Sequence, residues 1–105
     1  MPVYMGEMRR TEAVTQLKLA TDAIAGMGAT ALYLYGSASR NEARSDSDLD
    51  IYVDYDPASK FNALDLVGIK LMLEEKLGVP IDLTKADGLH PRLKPEIIKN
   101  AIRIF

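Results

Sequence analysis

Residues 31–55 read ALYLYGSASRNEARSDSDLDIYVDY, and the fold turns on how this stretch is divided. Ala31 to Tyr35 is a run of Leu and Tyr that stops at Gly36, the pattern of a short buried strand. Ten polar or small residues follow, Gly36 to Ser45. From Asp48 to Tyr55 the chain alternates strictly, with Leu49, Ile51, Val53 and Tyr55 on one side and Asp48, Asp50, Tyr52 and Asp54 on the other. A period of two sends the first set to a core and the second to water or a ligand.

Working outward, Ala13, Leu17, Ala20, Ile24 and Met27 fall at steps of four, three, four and three. That spacing predicts one amphipathic helix from Thr11 to about Met27, with Thr11 as its N-cap and Gly26 or Gly28 at its end. Downstream, Pro57 closes the alternating strand, and Ser59 is placed to cap a helix running to Leu77 with a Leu66, Ile69, Leu73, Leu77 stripe and Gly78 as stop. Val79 to Thr84 reads as a third strand, with Val79, Ile81 and Leu83 inward and Asp82 on the opposite face. Pro91 to Ile102 mixes Leu93, Ile97, Ile98 and Ala101 with Lys94, Lys99 and Arg103, which predicts a last helix carrying its basic charge outward, with Ile104 and Phe105 as an extended end. The connection between the second and third strands is long enough for parallel pairing, whereas the first two strands can pair either way. The expected fold class is α/β, in the α+β sense: one domain over 1–105, a small mixed sheet with helices mainly on one face.

Composition bounds the function. With no cysteine there is no disulfide, thiol nucleophile or thiolate metal site, and the single His90 forms no histidine cluster. Any metal must be held by oxygen, which favours magnesium or manganese. Met1 to Arg10 holds no apolar run of signal-peptide length and no stretch approaches a membrane span, so a cytoplasmic protein is expected. Net charge is −2, yet residues 42–56 carry six acids against Arg44, a local −5 that leaves +3 elsewhere. That concentration argues against this segment gripping nucleic acid and for a bound cation. At 105 residues the core is modest, so association with itself or a partner is expected.

Asp48 and Asp50, one residue apart on a strand, project their carboxylates from one face about 6–7 Å apart, a spacing that suits a shared divalent ion. Twelve residues earlier, Gly36-Ser37 sits where a buried strand ends, with backbone N–H groups and a hydroxyl free to hold phosphate oxygens, and Arg40 is close enough in sequence to add a fixed positive charge. Asp46-x-Asp48-x-Asp50 also opens like a calcium loop, but that loop needs Gly at its sixth and Glu at its twelfth position, where this chain has Ile51 and Pro57. Neither a Walker A motif nor G-x-G-x-x-G is present. Tyr33, Tyr35 and Tyr52 offer rings for base stacking, although strand tyrosines more often pack. His90 reads as a loop residue ahead of Pro91.

Gly36-Ser37-Ala38-Ser39-Arg40 followed by Ser47-Asp48-Leu49-Asp50-Ile51 resembles the G-S-x-x-R and S-D-x-D signature of the polymerase-beta-like minimal nucleotidyltransferases, the MNT proteins. The resemblance covers nearly the whole chain and implies a short polymerase-beta-type palm. It implies that Asp48 and Asp50 bind the metal, that Asp82, in Pro80-Ile81-Asp82-Leu83, completes a carboxylate triad and helps deprotonate the attacking hydroxyl, and that Gly36, Ser37, Arg40 and Ser47 hold the triphosphate of ATP. One departure is Asn41, commonly glycine in the family; asparagine tolerates the left-handed turn better than most residues. For proteins of this size the resemblance further implies an antitoxin that transfers AMP to a tyrosine of a HEPN-type ribonuclease toxin. Two other readings stand beside it: a silent binding module that neutralises a partner by covering it, and the catalytic subunit of a two-component small-molecule nucleotidyltransferase.

Overall fold

The computed structural model describes residues 10–36 and 49–105. In chain order these form α1 (Arg10–Leu19), α2 (Thr21–Gly26), β1 (Ala29–Tyr35), β2 (Leu49–Tyr55), α3 (Ala63–Leu77), β3 (Ile81–Lys85), a 3-10 turn (Ala86–Gly88), α4 (Lys94–Asn100) and β4 (Ile102–Arg103). The strands make one four-stranded mixed sheet in the order β3-β2-β1-β4. β1 pairs antiparallel with both β2 and β4, and β2 pairs parallel with β3 through the α3 crossover.

Strand alternation decides which face is covered. Leu32, Leu34, Leu49, Ile51, Val53 and Ile81 are buried against Ala13, Leu17, Ile24, Ile69 and Leu73 from α1, α2 and α3. The three helices thus lie on one face, as the sequence predicts. β4 is extended at its end by Ile104, whose N–H donates to Leu32 O at 2.8 Å and whose side chain closes the core.

Three boundary expectations are corrected. The predicted helix 11–27 is two helices, because the backbone at Ala20 (φ −93, ψ 2) leaves the α region. The apolar stripe survives the break, with Ala13, Leu17, Ala20 and Ile24 all buried, since the tightened turn keeps the next helix in phase. Thr11 lies inside α1 rather than capping it, and its carbonyl accepts the Thr15 hydroxyl at 2.9 Å. α3 is capped by Asn62, not Ser59. Asn62 Oδ1 accepts from the N–H groups of Leu64 and Asp65, and Asp65 Oδ2 accepts the Asn62 N–H at 2.9 Å, a capping box in amide and carboxylate form. Ser59 is occupied closing a turn, its hydroxyl donating to Asp56 O at 2.6 Å. Gly78 ends α3 at φ 73, as expected of a C-terminal glycine.

The start of β3 is tied to α3 by Glu74. Its Oε2 accepts the Ile81 N–H at 3.0 Å and Lys70 Nζ at 3.2 Å. Those bonds, the Ile81 N–H foremost, hold the Glu74 carboxyl below its ordinary value of 4.5. A lowered folded-state pKa contributes stability above the unfolded value and loses it as pH falls through the folded value. Glu74→Gln is therefore expected to be less stable than wild type near pH 7, with the gap shrinking near pH 3, measured by urea denaturation. An equal gap at both pH values would show that the charge is not involved.

Candidate active site

β2 is central, so register on either side decides what stands beside its carboxylates. Asp50 pairs with Asp82 on β3 and with Tyr35 on β1. Register partners point to the same face, so Tyr35, Asp50 and Asp82 form one row across the sheet face that α1, α2 and α3 leave open. Neighbouring strands lie about 4.8 Å apart, which places the two aspartates side by side. Asp50 is half-buried and Asp82 exposed. The alternation read from the sequence thus puts both carboxylates on the open face, and pairing brings them together.

Gly36 closes this row. It follows Tyr35 at φ 74, and a Cβ placed on it would fall on Asp50 Oδ2. Only a residue without a side chain lets the backbone turn against that carboxylate. Tyr35 reports the field of the row: burial first, then Asp50 and Asp82, push its hydroxyl up to about 12. The phenol therefore stays protonated throughout the neutral range.

Two residues along the strands, a second row on the same face reads Arg103, Tyr33, Tyr52 and Thr84. The Tyr33 and Tyr52 rings stack at 4.6 Å with 11° between planes, and Arg103 lies over Tyr33 at 5.8 Å. Tyr35 meets Tyr52 at 5.7 Å in a tilted pair. These tyrosines pack on one another, the alternative the sequence already raised. Burial first, then Tyr33 and Asp54, raises the Tyr52 hydroxyl above its ordinary value.

The proposed site residues Ser37, Arg40, Ser47 and Asp48, with Asn41 between them, lie outside the described residues. Gly36, Asp50 and Asp82 are brought together. Among the described residues no group of three or more metal-capable side chains converges, and the Asp50–Asp82 pair supplies two. Its all-oxygen, doubly negative donor set fits magnesium or manganese better than a softer ion. His90 shapes a turn, its Nδ1 accepting the Arg92 N–H at 3.1 Å and its carbonyl accepting from Leu93 and Lys94. The last helix predicted over Pro91 to Ile102 is α4, shorter at both ends. The helix buries none of its residues, and Leu93 and Ile98 are more than half exposed, because α4 flanks the open face instead of joining the core.

The family described as polymerase beta, nucleotidyltransferase matches residues 26–105. A Methanocaldococcus jannaschii protein provisionally named a protein adenylyltransferase is 38% identical over 72 residues, 69% of this chain and 75% of that one. A solved structure provisionally described as a minimal nucleotidyltransferase is 35% identical, with a TM-score of 0.78 over 90% of this chain and 95% of that chain. A chain from the complex of tri-AMPylated Shewanella oneidensis HEPN toxin with MNT antitoxin has a TM-score of 0.56 over 86% of this chain and 71% of its own. At 19% identity that likeness is one of fold.

Proposed function

We propose a reaction that proceeds from family membership: this chain belongs to the polymerase beta nucleotidyltransferase family, and as a member it is a nucleotidyltransferase. It transfers AMP from ATP to a hydroxyl of a partner protein in the cytoplasm, and the partner is a HEPN-type toxin that it restrains as antitoxin. The observation that carries this reading is the Asp50–Asp82 row closed by the turn at Gly36.

The acceptor hydroxyl attacks the α phosphorus, the new O–P bond forms, and the bridging bond to the β phosphate breaks with its electron pair leaving on pyrophosphate. Asp82, exposed at the end of the row, takes the acceptor's proton. Gly36, Ser37, Arg40 and Ser47 hold the triphosphate through N–H groups, hydroxyls and a guanidinium. Asp48, Asp50 and Asp82 would hold magnesium or manganese, which when bound would neutralise charge on the transferring phosphoryl group.

The partner reading draws support from the outer side of α3, where Leu64 (82% exposed), Val67 and Leu71 form an apolar stripe at helical spacing. No helix among the described residues is long and apolar enough to cross a membrane. The test is incubation with magnesium, labelled ATP and the HEPN-type protein, wild type against Asp48→Ala/Asp50→Ala. Label on the partner with wild type alone is expected. Neutralisation of the partner by both proteins with no label transferred would replace catalysis with simple covering.

A further inference from the structure

Two adjoining hollows of about 340 and 230 Å³ lie between the open sheet face and α4. Asp54, Ala86 and Lys94 line both, so the two form one trough. One end is walled by Tyr33 and Tyr52, with Ile98 and Ala101 from the α4 side; the other reaches Pro57 and Asp87. The trough therefore follows the second half of β2 for roughly 15 Å, judged from strand rise.

We propose that this trough is the acceptor groove, taking an extended polypeptide segment and delivering its hydroxyl-bearing side chain past Tyr52 to the Asp50–Asp82 row. The inference rests on the nucleotidyl-transfer reading above. In-line displacement puts the incoming oxygen and the departing pyrophosphate on opposite sides of the α phosphorus. Gly36 follows Tyr35 and so lies on the side of the acid row away from Tyr33 and Tyr52. With the β and γ phosphates held there, the incoming oxygen must arrive from the tyrosine side, which is where the trough begins.

The shape favours a chain over a small molecule. Small ligands are enclosed by their pockets, whereas two hollows joined end to end beside a strand suit an extended segment. The chemistry of the lining narrows the segment further. Two carboxylates, Asp54 and Asp87, the latter also accepting the Tyr55 hydroxyl at 2.9 Å, share the lining with one ammonium, Lys94, and Ile98 and Ala101 add an aliphatic wall. The fitting segment carries a basic side chain near its acceptor residue and an apolar one against Ile98.

Ile98 is half exposed, so substitution there leaves the core intact. Ile98→Glu should raise KM for the HEPN-type protein by roughly tenfold or more, while affinity for a fluorescent ATP analogue and kcat at saturating partner stay within about twofold of wild type. An unchanged KM, or a parallel loss of nucleotide affinity, would overturn the proposal, the latter by making the trough a nucleoside pocket. A second measurement needs no turnover: a photo-crosslinking benzoylphenylalanine replaces Ile98 or, separately, Leu71. Capture of the partner from position 98 supports the groove even if wild type transfers no label, in which case only the catalytic reading fails. Capture from position 71 alone overturns it.

Discussion

Asp50→Asn is expected to lower AMP transfer by roughly a thousandfold or more, the scale seen when a preorganised group facing developing charge is removed. The substitution keeps the shape of a half-buried side chain between Tyr35 and Asp82 and removes only its charge. Folding should not suffer, because asparagine keeps the size of the side chain and one acceptor oxygen. The melting temperature should therefore stay close to that of wild type while activity collapses. Transfer within threefold of wild type would remove Asp50 from the chemistry, and a large fall in melting temperature would recast it as a structural residue.

Gly36→Ala should cost about a hundredfold in transfer together with roughly 1–2 kcal/mol of stability. The stability loss comes from φ 74, a left-handed conformation that charges any residue with a Cβ about that much. The activity loss comes from the new Cβ falling on Asp50 Oδ2, which forces the carboxylate away from its place beside Asp82; displacements of about 1 Å at a reacting centre cost on that order. Gly78→Ala separates the two effects. Gly78 has nearly the same φ, 73, but among the described residues a Cβ there meets nothing within 4 Å. It should lose comparable stability and keep full transfer in the same assay. Equal activity losses at the two positions would mean that backbone strain, not the contact with Asp50, explains Gly36.

Much of this site was legible before any coordinates. Strict alternation from Leu49 to Val53 and from Val79 to Leu83 gives the face of each side chain, so Asp50 and Asp82 are assigned to the open face residue by residue; two expectations on β2 are corrected, since Tyr52 is buried by its ring neighbours on that face and Tyr55 is only half-buried. What alternation does not carry is register. That Asp50 stands beside Asp82, and not beside Thr84, depends on where α3 ends and how Glu74 anchors Ile81, which are properties of packing. The same holds for Gly36: its glycine content was visible, but its approach to a carboxylate fourteen residues later exists only once β1 and β2 pair.

The misreadings have similar causes. Ser59 looked like the cap of α3 because hydroxyls are common caps, yet the Asn62 and Asp65 pair three residues apart satisfies two backbone donors reciprocally and wins. The break at Ala20 was hidden because a tightened turn leaves the apolar spacing unchanged. That Ile98 of α4 lines a trough opposite Tyr52 and Asp54 depends on how the chain folds back over β2, which spacing along the sequence does not carry.

The most direct test of the central claim compares ATP labelled at the α phosphorus with ATP labelled at the γ phosphorus, each incubated with the chain, magnesium and the HEPN-type protein. Nucleotidyl transfer predicts that only the α label becomes covalently attached to the partner, with the γ label released in pyrophosphate. Attachment of the γ label would make the chain a phosphotransferase and contradict the account.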